Sequence, residues 1–132
     1  MNKKTFEELL KRFCEIKFKE EFDMIAAVAN GGIIPAAILN QRLNIEFNIL
    51  KINYRDASHQ PKYAEPQLLS PIGFNCADKR ILVVEDRVKT GASLKKACEI
   101  LKEAKLIKTF AVNGKADYAL YDEPCFMFAW NL

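Results

Sequence analysis

Ile81-Leu82-Val83-Val84-Glu85-Asp86-Arg87-Val88-Lys89-Thr90-Gly91-Ala92-Ser93 runs directly into Leu94-Lys95-Lys96-Ala97-Cys98-Glu99-Ile100-Leu101. Four β-favouring apolar residues end in two adjacent carboxylates, a Thr-Gly-Ala-Ser turn follows, and apolar positions then recur at helical spacing. The order predicts a buried strand, an acidic strand tip, a loop of small residues and a helix N-terminus. Amides at such a loop and helix start hold a phosphate. Carboxylates beside them hold hydroxyls or a hydrated Mg²⁺. A sugar phosphate satisfies both.

The flanking chain repeats the strand-then-helix pattern. Asp23 to Asn30 is apolar without alternation, which suits a central strand buried on both faces. Gly31-Gly32 break it, and Ile33 to Leu43 reads as a helix with Pro35 in its first turn. Glu46 to Asn53 is a second strand, Arg80 to Asp86 the third and Ile107 to Val112 the fourth. Ser93 to Lys105 is the helix after the third strand, with Leu94, Ala97, Cys98, Leu101 and Ala104 as its inner stripe. Tyr118 to Asp122 reads as turn or loop, and Cys125 to Trp130 as a last short strand. At the start, Thr5 and Glu8 form a capping box for an amphipathic helix reaching about Glu20. The Pro-bearing connection from Tyr54 to Lys79 is long, and its 54–67 part reads as a flexible loop.

Strands alternating with helices predict an α/β fold: a doubly wound, Rossmann-like, mainly parallel five-stranded sheet. Ligands in such sheets bind at strand C-terminal ends where the strand order reverses, and a 2-1-3-4-5 order opens both glycine turns onto one crevice. Residues 1–132 are expected to form one domain. The net charge of +3, from 20 basic and 17 acidic residues, gives no concentrated basic face for nucleic acid. The four cysteines lack a C-x-x-C pair and His59 is the only histidine, so reduced thiols rather than zinc are expected. No apolar run approaches the ~18 residues of a membrane span. A cytoplasmic location follows as the expectation.

The acidic pair followed by Thr90-Gly91-Ala92-Ser93 resembles the PRPP-binding signature of the type I phosphoribosyltransferases. Ala29-Asn30-Gly31-Gly32-Ile33-Ile34-Pro35-Ala36 is similar to that family's diphosphate loop. Asp117-Tyr118 with Cys125-Phe126-Met127-Phe128-Ala129-Trp130 is similar to the end of small hypoxanthine and xanthine-guanine phosphoribosyltransferase-like members, where an aromatic segment ending in Trp helps form the base-binding hood. The resemblance runs from about Asp23 to Trp130.

It implies transfer of the 5-phosphoribosyl group from PRPP to a purine-like base, with Mg²⁺ as cofactor and a homodimer as the expected assembly. Glu85, Asp86 and Lys89 stand at the implied catalytic positions, and Glu85 and Asp86 are the implied metal ligands. The implied PRPP site is Asn30, Gly31, Gly32, Glu85, Asp86, Lys89, Thr90, Gly91, Ala92 and Ser93. Lys115, Phe128 and Trp130 are the implied base contacts. Arg55 and Lys62 stand in the implied mobile catalytic loop, where they would meet diphosphate.

Three positions depart from the family. Asn30 stands where many members carry Arg or Lys, and Lys89 where purine-specific members carry an Asp near the base. Asn113 stands where they carry a Lys that meets the exocyclic oxygen, with Lys115 two positions on. The ribose and 5′-phosphate residues are kept, while leaving-group and base recognition differ. A non-catalytic PRPP or nucleotide sensor on the same fold is therefore the alternative. A receiver-like module shares the sheet order but places its acidic pair after the first strand. Taken singly, the Thr-Gly turn also reads as an ordinary turn with Ser93 as N-cap, and the aromatic tail as an apolar edge strand.

Overall fold

The computed structural model describes residues 2–53, 67–68 and 72–132. In chain order the elements are α1 (Phe6–Glu15), β1 (Met24–Ala29), α2 (Ile33–Leu43), β2 (Glu46–Asn53), β3 (Gln67–Leu68), β4 (Arg80–Arg87), α3 (Ala92–Ile100), β5 (Leu106–Asn113) and β6 (Tyr118–Tyr121). They build a six-stranded sheet of order β3-β2-β1-β4-β5-β6. All pairings are parallel except β2 with β3. The parallel part keeps the expected order, and α2 and β2 have the expected bounds.

Two strand assignments change. A short antiparallel strand, β3, is added at the edge, and Gln67 of the expected 54–67 loop lies in it. The rest of that loop, with Arg55 and Lys62, lies outside the described residues. The last parallel strand is Tyr118–Tyr121 rather than Cys125–Trp130. Parallel neighbours ordinarily need a crossover of about a dozen residues; here a short turn through Gly114 returns the chain beside β5. Side-chain bonds replace the missing crossover helix as the fixing element. Asp117 Oδ2 accepts from the Thr109 backbone N–H at 2.8 Å and from Thr109 Oγ1 at 3.0 Å, and Thr109 Oγ1 accepts the Asp117 N–H at 2.9 Å.

Two helices end early. The capping box of α1 forms as expected, but the helix stops at Glu15, with Ile16 extended at φ −63°, ψ 135°. Tertiary contacts win there. Phe18 packs edge-on against Tyr118 and Phe22, and the Tyr118 hydroxyl accepts the Lys19 N–H. Helix α3 begins at Ala92 and ends at Ile100 instead of Lys105. Lys79 O accepts both the Lys105 and Leu106 N–H groups, which draws the chain out of the helix and into β5.

The sheet is covered on both faces. Ile25 and Ala27 of β1, with Leu82 and Val84 of β4, join Leu9, Phe13, Leu39 and Phe110 in one apolar layer. Met24, Ala26 and Val28, with Ile81 and Val83, join Leu94, Ala97 and Leu101 in the other. This explains why the β1 and β4 sequences show apolar runs rather than alternation. At the N-terminal ends of these strands, Asp23 accepts from the Arg80 backbone N–H at 2.8 Å and from its Nε and Nη2 at 3.0 Å each. That clamp fixes one pole of the sheet, and the strand C-termini form the other.

Candidate active site

Strand β1 ends at Ala29 and β4 at Arg87, side by side in the sheet. The turn after β1 and the acidic pair on β4 therefore meet. The Ala29–Asn30 peptide is cis, and Asn30 is exposed at the turn. A Cβ placed on Gly31 would lie 2.6 Å from the Asp86 carboxylate. A Cβ on Gly32 would lie 2.3 Å from Val84 O and 2.7 Å from Val28 O. Gly32 has an ordinary φ of −81°, so close approach, not conformation, requires a glycine there.

Glu85 is buried and Asp86 half-buried. Each turns back on the next amide: the Asp86 N–H donates to Glu85 Oε1 at 3.1 Å, and the Arg87 N–H to Asp86 Oδ1 at 2.6 Å. Burial, then the Asp86 charge and a side-chain hydrogen bond with Asp86, hold the Glu85 carboxyl well above the ordinary carboxylate range. Among the described residues neither carboxylate is ion-paired to Lys or Arg. No three His, Cys, Asp or Glu side chains among them converge as a metal set. Two adjacent carboxylates without a cationic partner fit a hydrated Mg²⁺, which keeps several waters and takes only one or two protein carboxylates.

Lys89 and Thr90 are exposed beyond the strand tip. Thr90 Oγ1 accepts the Ala92 N–H at 3.2 Å, and Gly91, at φ 83°, is the N-cap of α3. The N-cap is thus Gly91 rather than Ser93. Helices α2 and α3 both start from glycine N-caps that make no side-chain capping bond, in contrast to the fully capped α1. Their first-turn amides point at the same end of the sheet as the acidic pair, with the positive dipole ends.

The C-terminal segment stands beside this pole without being a sheet strand. Among the described residues its one ladder contact is a parallel bridge, Lys3 with Met127. The Met127 N–H donates to Asn2 O at 2.7 Å, and the Lys4 N–H to Met127 O at 3.2 Å. Phe128 is fully buried, so in this conformation Trp130, stacked on it at 5.0 Å and 15°, is the ring with surface to offer. Lys115 is exposed on the turn between β5 and β6. Asn113 is buried: its Nδ2 donates to Glu123 O and its Oδ1 accepts the Glu123 N–H, both at 3.0 Å. It works as a clip on the C-terminal segment.

The sequence reasoning passed over Arg87. Its Nη2 donates to Phe126 O at 2.6 Å, and its Cζ lies 4.6 Å from the Phe128 ring centroid. The available signal was a cation on an apolar strand, directly after the acidic pair.

The phosphoribosyl transferase domain family model matches residues 2–128. The chain belongs to this family. A xanthine-guanine phosphoribosyltransferase of Idiomarina loihiensis is 31% identical over 93 residues, 70% of this chain and 56% of the relative. An adenine phosphoribosyltransferase of Thermotoga maritima is 26% identical over 108 residues, 77% of this chain and 62% of the relative. The match thus spans less than two thirds of either curated phosphoribosyltransferase. Among solved structures, a purine phosphoribosyltransferase from Pyrococcus horikoshii Ot3 superposes with a TM-score of 0.81 at 26% identity, covering 99% of this chain and 94% of that one. The six-stranded α/β architecture is the type I phosphoribosyltransferase fold.

Proposed function

We propose that the chain transfers the 5-phosphoribosyl group from PRPP to a nitrogenous, purine-like base and releases diphosphate. The observation that carries this reading is the juxtaposition of Gly31 with the Asp86 carboxylate, two adjacent strand ends bringing a side-chain-free turn against an acidic pair. The purine phosphoribosyltransferases among its relatives support the same acceptor class.

Such transfer passes through an oxocarbenium-like centre, so the protein contributes positioning and electrostatics. In this reading Glu85 and Asp86 hold the ribose hydroxyls. Thr90, Gly91, Ala92 and Ser93 present loop and helix amides to the 5′-phosphate, with Lys89 adding charge from the exposed loop. Asn30, Gly31 and Gly32 bracket the diphosphate, and Trp130 stacks on the base with Lys115 at the rim. Mg²⁺, held by Glu85 and Asp86, would neutralise diphosphate charge. The reading also carries purine salvage as the setting, one domain, a cytoplasmic location and a homodimer.

Incubation with PRPP, Mg²⁺ and a panel of purine and pyrimidine bases should yield a nucleotide and one diphosphate per turnover. Absence of both products with every base sinks the catalytic reading. A second reading, a PRPP or nucleotide sensor, is favoured by Asn113, whose amide is committed to Glu123 rather than presented to a base. Calorimetric binding of PRPP without turnover supports it.

A further inference from the structure

Arg87 is an expensive residue for its place. An apolar side chain at the end of β4 would continue the core, whereas the Arg87 Nε is buried and has no hydrogen-bond partner among the described residues. Two contacts fix its guanidinium, the Phe126 carbonyl and the Phe128 ring face. Both belong to the segment that carries Trp130. Phe128 in turn touches Phe126 edge-on at 5.3 Å and Trp130 face-on at 5.0 Å. Arg87 is also the register partner of Asn113 across β4 and β5. Both members of this pair reach out of the sheet to the same segment, Asn113 to the backbone of Glu123 and Arg87 to that of Phe126.

We propose that Arg87 is a positioning residue that sets Trp130, and with it the acceptor side of the cleft, relative to the Glu85–Asp86 strand tip. The spacing is short. Arg87 directly follows Asp86 in the chain, and one ring, that of Phe128, stands between the guanidinium and the indole. Loss of the guanidinium alone therefore releases the aromatic segment, while the Arg87 backbone N–H can keep its bond to Asp86. The proposal rests on the transferase reading for its kinetic arm but not for its structural arm.

Trp130 is the only tryptophan, so emission excited selectively at tryptophan reports on the platform alone. In Arg87→Met, acrylamide should quench Trp130 more strongly and its emission should shift to the red. The acceptor KM should rise about tenfold or more while the PRPP KM changes less than about twofold. Arg87→Lys, which keeps a cation over Phe128 but loses the planar fork, should recover part of both effects. Unchanged quenching and emission in Arg87→Met overturns the proposal, as does an equal rise in both KM values. Should Arg87→Met fail to fold by circular dichroism, a folded Arg87→Lys with wild-type Trp130 quenching overturns it. Should the wild type transfer to no base, the transferase reading fails, and the Trp130 measurements still decide the role of Arg87.

Discussion

Glu85 carries opposite demands. Its carboxyl is buried beside Asp86, and both conditions favour the protonated form. The folded pKa lies above the unfolded one, so the folded chain binds the extra proton, and stability falls as pH rises from the ordinary carboxylate range through the raised value. Glu85→Gln removes that penalty. Its melting temperature at pH 7 should exceed that of the wild type, by about 3–5 °C for each 1 kcal/mol gained. Transfer should be lost with it, a stability-for-function exchange that calorimetry and a nucleotide assay check together. The two glycines separate in the same way. Gly31→Ala meets a carboxylate that can swing aside, so PRPP affinity should fall tenfold or more, on the order of 1.4 kcal/mol, with little change in melting temperature. Gly32→Ala meets two backbone carbonyls, so it should cost about 1–3 kcal/mol of stability in denaturant titration. The acidic pair and glycines were legible because their chemistry is local. Arg87 and Asn113 were not, because what they do depends on a segment that only the fold brings near.

At the level of elements, legibility followed the strength of local signals. Helix α2 and strand β2 were bounded correctly, since Gly31-Gly32 open the first and the second alternates around Phe47, Ile49, Leu50 and Ile52. Strand β6 was missed because four residues between aspartates show no period, and because a turn through Gly114 is shorter than parallel pairing usually allows. The Cys125–Trp130 run has the stronger strand propensity. Its aromatic side chains serve the core instead: Phe126 and Phe128 are fully buried, and the place beside β5 is already taken. Clips then hold it. Asn113→Ala should cost about 1–2 kcal/mol by leaving both Glu123 backbone groups without their partner, and should speed hydrogen exchange at Glu123 and Phe126 before the β-sheet.

For the whole molecule, the two poles of the sheet answer pH in opposite senses. At the N-terminal pole, hydrogen bonds and the charge of Arg80 hold the Asp23 carboxyl far below the ordinary range. That contribution is present above the unfolded pKa and is lost as pH falls through the folded one. With Glu85 weakening the fold as pH rises, a scan of melting temperature against pH should peak in the mildly acidic range. Asp23→Asn should flatten the acid limb, and Glu85→Gln the other. The N-terminal residues matter to the site pole in a different way. Lys3 pairs with Met127, and Lys4 reaches Glu123 at 2.8 Å and lies over the Tyr121 and Phe126 rings. Lys3 and Lys4 are thus synthesised well before Glu123 and Met127, the partners they wait for. On the ribosome α1 can form from its own caps, whereas the aromatic cluster of Phe126, Phe128 and Trp130 cannot close until those residues have left the exit tunnel. The aromatic cluster beside the strand tips accordingly takes shape later than α1.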